Sequence, residues 1–393
     1  MSTVNLANAD NALKSAYLDV VSDHLNNLVN PFYAAIEHST TDVWGKDVKK
    51  LIVTGLKGGI SAGSEDGNLP SASGNKYLQF VSTLKNLYGV IEISDKAVRA
   101  SENSAGAFVN LLNAEMEQLI NASKVNFGRM LFSDGTGKLC EINMVSEKTL
   151  NVDETCYLLP GMKIDIMDED GSIPEKYVGL TVRSVDADDL SFTVYEEDAI
   201  DETELLSGTV YIHGIKEGEL TGLAQIFNTN GSTLYGVSRA NNSYMNPFVD
   251  KITHVLTEHV LQRALDTIET RSGKRPNMIL CSMGVRRALQ KLFTNAGKQM
   301  PVMELAGGYN AISFNGIPIV ADRFCPRGAL YLLNTNDFVL HQLCDWEWLS
   351  GDDGKILKQV PGKPVYTATL VKYAELICNQ PNGQGAFLGI EEE

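Results

Sequence analysis

From Gly58 to Asn75 the chain reads GGISAGSEDGNLPSASGN, with five glycines, four serines and one proline. That composition cannot hold a helix, because Gly and Pro are the poorest helix formers and Ser competes for the backbone's hydrogen bonds. On either side the pattern is extended: VKKLIVTGLK before it and YLQFVSTLKNLYGVIEIS after it. Two extended runs around a flexible tip predict a long hairpin. With strands of about ten residues or more it reaches on the order of 30 Å, at ~3.3 Å per residue. An arm of that length cannot be buried against its own small core, and a lone two-stranded ribbon is marginal in water. Its Leu, Ile and Tyr side chains therefore predict a partner surface, most simply another copy of the same chain.

The rest of the chain alternates between helical and extended periods. Leu13, Tyr17, Val20, His24 and Leu28 recur at helical spacing and predict an amphipathic arm over 10–29, ended by Asn30-Pro31. From Ser104 to Phe132, Phe108, Leu112, Met116, Leu119, Ile120, Phe127, Met130 and Leu131 form one apolar stripe. This predicts a helix of about 27 residues, ~40 Å long. Asn246 as cap and Pro247 at the first position predict a second long helix reaching about Thr270. Strand and helix then alternate, a hairpin is expected on Asn315-Gly316, and the last third reads as strands, with another hairpin on Asp352-Asp353-Gly354. The class is α+β.

Charge is unevenly placed. The whole chain has 33 Lys and Arg against 49 Asp and Glu, a net −16, yet residues 150–220 alone hold 18 acids and 4 bases. That stretch is net −14, leaving −2 for everything else. Its short alternating runs between Asp-Gly, Ala-Asp-Asp and Ser-Gly breaks predict an inserted antiparallel sheet or barrel. The acids read as a solvated face: Asp168-Glu169-Asp170-Gly171 has Ile166 where a calcium loop needs its first ligand. An acidic chain is a poor free binder of nucleic acid, since phosphate affinity comes from Lys and Arg displacing counterions. No apolar run approaches the ~18–20 residues of a membrane helix, and Met1–Lys14 lacks a secretory pattern. The six cysteines, with no CxxC spacing, read as reduced thiols.

Catalytic patterns are weak. Gly59-Ile60-Ser61-Ala62-Gly63 matches G-x-S-x-G, but a nucleophile elbow must run into a helix, and Ser64–Pro70 reads as loop. His254 and His259 are spaced by five residues, ~140° apart on a helix, and no phosphate-loop glycine pattern occurs. Trp346 and Trp348 alternate on one strand face and read as packing. No cofactor or metal site is expected.

The order of segments, rather than any one motif, carries a resemblance. GGISAGSEDGNLPSASGNKYLQFVSTLKNLYGVIEISDKAVRAS, then AFVNLLNAEMEQLINASKVNFGRMLFSDGTGKL, then STLYGVSRANNSYMNPFVDKI, RPNMILCSMGVRRAL and FNGIPIVADRFCPRGALYLLN resemble the major capsid proteins of tailed bacteriophages, the Hong Kong 97-type capsid fold. The resemblance covers nearly the whole chain. It implies an N-terminal arm (1–45), an extended E-loop (46–95), the spine helix of a peripheral domain (96–138), an inserted acidic β domain (139–220), an axial domain (221–335) and C-terminal strands shared by the axial and peripheral domains (336–393). It also implies pentamers and hexamers closing into an icosahedral shell around double-stranded DNA, assembled in the bacterial cytoplasm with a portal.

Many relatives begin with a long cleaved scaffolding helix, whereas here the arm starts at once, so a separate scaffolding protein is expected. No motif pairs Lys49 or Lys57 with a cross-linking acceptor. The expected contacts between subunits are Leu13, Tyr17, Val20 and Trp44 of the arm, and Lys57, Gly59, Ser64, Glu65, Leu69 and Pro70 of the loop. The acidic domain is expected outside the shell or at a subunit contact. Two rival readings are an encapsulin-like compartment that encloses cargo enzymes and, more distantly, a serine hydrolase using Ser61.

Overall fold

The computed structural model describes residues 30–392 except 56, 63–64, 66, 68–70, 72, 97–104, 147–148, 169–170, 196–206, 215–217, 253–255, 296–301, 306–308 and 351–355. The expected arm helix over 10–29 and the hairpin on Asp352-Asp353-Gly354 lie outside these residues.

A helix of 26 residues, Ala105–Met130, runs through the middle of the fold. Met116, Ile120, Phe127 and Met130 are buried, as the stripe predicts, while Phe108 and Leu112 have no described side chains. It packs under a sheet in which Phe338–Trp348 pairs with the 14-residue strand Val365–Cys378, and Lys85–Ser94 pairs along that strand's other side. Glu37–Ser39 adds a parallel strand at the far edge.

The E-loop expectation needs a correction here. The hairpin strands are Asp47–Val53 and Tyr77–Thr83, seven residues each, in register from Asp47↔Thr83 to Val53↔Tyr77. Their reach is about 23 Å at ~3.3 Å per residue. Lys85–Ser94 belongs instead to the central sheet. The chain switches sheets at Leu84, whose side chain is buried and whose N–H donates to the Lys46 carbonyl. Alternating sequence does not reveal which partner a strand will choose.

The acidic segment closes into a six-stranded antiparallel barrel: Lys138–Ser146, Thr149–Val152, Lys163–Met167, Leu180–Asp186, Ser191–Val194 and Gly208–Ile212. Its inward residues Ile142, Leu150, Ile164, Ile166, Val182, Phe192 and Val210 form a closed apolar interior. Closure removes the sheet edges that so small a sheet would otherwise expose. Two of the segment's acids are not solvated. Asp165 is buried and accepts from the Gly179 and Gly214 N–H groups and from His213 Nδ1, and Glu219 is fully buried.

A further, seven-stranded mixed sheet is ordered Phe248–Lys251, Gly385–Leu388, Leu330–Leu333, Met278–Cys281, Ile317–Ala321, Tyr309–Phe314 and Val302–Leu305. Helices Glu258–Ser272 and Met283–Asn295 cover it through Leu261, Leu265, Ile268, Val285, Leu289 and Phe293. The expected helix start at Asn246-Pro247 is wrong. Phe248–Lys251 is drawn into the sheet by parallel pairing with Gly385–Leu388, and Thr257 caps the helix through its hydroxyl, which accepts from the Val260 N–H. A Pro marks a helix start only where no strand partner competes for the residues after it. The Asn315-Gly316 turn is as expected, with φ +50° and +78°, the double left-handed geometry of a type I′ hairpin. The six cysteines are unpaired.

Candidate inter-subunit surfaces

The hairpin's two faces differ. On one, Val48 and Phe80 are buried at the base, where Phe80 packs on Tyr235 with ring centroids 5.5 Å apart. Tyr235 is itself fixed: its hydroxyl donates to the Leu376 carbonyl at 3.2 Å and accepts from the Cys378 N–H at 3.0 Å, while its carbonyl accepts from Val81 N–H. The base is thereby tied to the central sheet. The other face carries Leu51, Val53, Tyr77 and Val81, all exposed, with Val53 directly opposite Tyr77. Beyond them Ile60 is 89 % exposed. A ribbon with apolar residues on its open face is a surface looking for a cover.

No protein-family profile and no curated protein matches this sequence. The fold has solved counterparts. Similar to it is a chain of the cyanophage A-1(L) capsid asymmetric unit, 11 % identical, with 92 % of this chain and 93 % of that chain covered and a TM-score of 0.55. The chain has the Hong Kong 97-type capsid fold. Lower-scoring likenesses are to the SrpI encapsulin complex of Synechococcus elongatus (12 % identity, 95 % of each chain, TM-score 0.49) and to Mycobacterium phage Bobi (9 %, 98 % and 99 %, 0.45).

In this capsid fold the hairpin is the E-loop and Ala105–Met130 the spine helix. Of the sequence-predicted contact residues, Lys57, Gly59 and Glu65 lie exposed on the E-loop, with Gly59 at φ +86°. Trp44 lies in a two-residue strand pairing with Asp47, its side chain not described. Leu13, Tyr17, Val20, Ser64, Leu69 and Pro70 are outside the described residues. The reading missed Leu51, Val53, Tyr77 and Val81, although period-two alternation along both strands put them on one face and could have found them. Ser61 is exposed on loop, eight residues past the end of its strand, and residues 57–62 continue as irregular backbone. Among the described residues the strand-to-helix elbow a hydrolase needs is not formed.

Rigid connections hold the E-loop's platform. Lys372 is fully buried, lies 5.2 Å from the centroid of the Phe127 ring and donates to Asp345 Oδ1 at 2.5 Å, joining sheet to spine helix. Burial pushes its ammonium pKa down, and Asp345 opposes this. Burial would raise the Asp345 carboxyl, but Lys372 reverses that and leaves it below the ordinary value. At the barrel's root, the Ile212 N–H donates to the Gly137 carbonyl at 3.1 Å, so the chain leaves the insertion beside the point where it began. Gly222 then crosses the end of the spine helix so closely that a Cβ would sit 2.4 Å from the Ser133 carbonyl oxygen and 2.5 Å from that of Met130.

Proposed function

We propose that this chain is the major capsid protein of a tailed phage, assembling as pentamers and hexamers into an icosahedral shell that encloses double-stranded DNA. The observation that carries the reading is the E-loop: a base tied to the central sheet, an apolar outer face and no cover for it among the described residues of its own subunit. Folding energy left unrealised in the monomer is recovered only by association, and identical units joined head to tail must close into rings or else grow as filaments. The role is structural rather than catalytic.

The charge distribution supports enclosure without sequence reading: outside the acidic segment the chain is nearly neutral, so the shell neither repels DNA strongly nor grips it. The acidic barrel faces outward or sits at a subunit contact. A separate scaffolding protein and a portal complete assembly in the bacterial cytoplasm. Electron microscopy of the expressed protein, alone and with a scaffolding protein, tests this. Closed shells are expected, whereas a monomer under both conditions refutes it. Particles from the native source holding an enzyme instead of DNA would favour the encapsulin-like compartment.

A further inference from the structure

Beyond the strand Gly385–Leu388 the chain stays on the seven-stranded sheet. Gly389, at φ +77°, turns it. Ile390 is buried in the same apolar cluster as Ile252 and Leu330, and its N–H donates to the Gly328 carbonyl at 2.9 Å. Glu392 then reaches the start of helix Met283–Asn295. Its Oε1 accepts from the Ser282 hydroxyl and, at 2.7 Å, from the Gly328 N–H, while Arg327 Nε lies 3.6 Å from its Oε2. Gly328 has φ +68°, and a Cβ there would sit 2.7 Å from the Ile390 carbonyl oxygen, so the approach needs glycine.

The loop that Glu392 holds is also held from the barrel. Glu154 lies in the connection between the barrel strands Thr149–Val152 and Lys163–Met167. Its Oε2 accepts from the Arg327 N–H at 2.9 Å, and its Oε1 from the N–H groups of Thr155 and Cys156 at 3.1 and 3.3 Å. Two carboxylates from segments far apart in the chain thus grip consecutive amides. Those amides are joined only by the two soft dihedrals of Arg327, so turning one redirects the other. We infer that residues 389–392 are a strap that seats the acidic barrel on the seven-stranded sheet, acting through Arg327 and Gly328. With Glu392 in place, the turn over 326–329, closed by the Ala329 N–H on the Pro326 carbonyl at 3.1 Å, presents the Arg327 N–H to Glu154. With the carboxylate withdrawn, both amides gain freedom and Glu154 loses an oriented donor. Hydrogen bonds from backbone N–H to a carboxylate are of the strong class, which lets so short a segment fix the loop. The strap joins parts of one subunit, so the inference stands whether or not the protein builds a shell.

The test is amide hydrogen exchange in the full-length protein. Glu392→Ala removes the strap's carboxylate and Glu154→Ala the barrel's, while Glu391→Ala, at an exposed neighbouring position, controls for the loss of charge. The expected result is exchange at the Arg327 N–H about tenfold or more faster in Glu392→Ala, the size of one charge-assisted hydrogen bond, although that amide's own acceptor is untouched. Glu391→Ala is expected at the wild-type rate. In the double variant, Glu154→Ala with Glu392→Ala, the acceleration should fall short of the product of the two single effects, as for residues that share a partner. Unchanged exchange at Arg327 in Glu392→Ala, an equal rise in Glu391→Ala, or single effects that multiply overturns the inference. Amides of helix Glu258–Ser272 report on folding. If Glu392→Ala accelerates those too, Ser282→Ala, which removes one donor to Glu392 and no group of the loop, takes its place in the same comparison.

Discussion

Arg129 near the end of the spine helix and Glu219 at the exit of the barrel form a bidentate ion pair with both side chains fully buried, Nη1 donating to Oε2 at 3.1 Å. Arg129 Nε also donates to Asn126 Oδ1 at 3.0 Å, which fixes the guanidinium at a third point. Breaking such a pair leaves a buried charge without a partner. Arg129→Met is therefore expected to lower stability by about 3–5 kcal/mol, read by urea denaturation, and Arg129→Met with Glu219→Leu is expected to recover much of the loss. Equal stability of the single variant and the wild type would mean the pair contributes nothing.

Leu51→Ser, Val53→Ser and Tyr77→Ser together strip the E-loop's open face while leaving the Phe80–Tyr235 base intact. Because these side chains are exposed in the monomer, each change should alter its stability by no more than about 0.5 kcal/mol. Each side chain buried by a neighbour in the assembled shell is worth about 1.5–3 kcal/mol, so assembly should fail. Light scattering and sedimentation, compared with thermal melting, separate the two effects.

Glu375 lies directly across from His341 in the central sheet, and both are fully buried. Burial raises the Glu375 carboxyl to about 7, against hydrogen bonds from Thr221 and Leu376 N–H that lower it. Since the folded value exceeds the unfolded one, the unfolded chain gives up this proton first as pH rises. Stability from this group is full below about pH 4.5 and is lost through pH 7, on the order of 3 kcal/mol in all. Asp322, also raised to about 7 by burial, adds a loss of the same sign. Glu375→Gln should flatten the melting temperature between pH 4.5 and 8 relative to wild type. An unchanged slope would assign the titration elsewhere.

His341 works in the opposite sense. Among the described residues neither ring nitrogen has a hydrogen-bond partner, and burial together with Lys50 lowers its pKa to about 4. The unfolded chain takes up the proton first as pH falls through about 6.5, so stability from this group is present above that pH and lost toward pH 4. His341→Gln is expected to raise the melting temperature at pH 5 relative to wild type and to change it little at pH 8.

Gly222→Ala places a methyl against the backbone carbonyls of Met130, Leu131 and Ser133, at and just past the end of the spine helix, which cannot swing aside as a side chain would. Overpacking of this kind costs about 1–3 kcal/mol, and with backbone as the obstacle the upper end is expected. The Leu223 N–H bond to the Leu131 carbonyl, 2.8 Å, should open with it, read as faster amide exchange at Leu223.

How much of this the residues announced differs from element to element. The spine helix, the Asn315-Gly316 turn and the β character of the acidic segment followed from local rules: period 3.6, two left-handed residues in succession, and alternation between breakers. Local rules failed where a segment had a choice of partner. Lys85–Ser94 reads as hairpin but pairs with Val365–Ala374, and Phe248–Lys251 reads as helix but pairs with Gly385–Leu388. The acids of 150–220 look alike in sequence, yet Asp165 and Glu219 are buried behind specific donors.

The sequence by itself determined that the chain carries a hairpin with a tip unable to form a helix, a long amphipathic spine and a separate acidic β unit, because each of these depends on residues within a few positions of one another. Only the tertiary structure decided which hairpin face lies open and where the insertion is rooted. Those depend on pairings and burial between segments far apart in the chain, where the free energy of contact outweighs local preference.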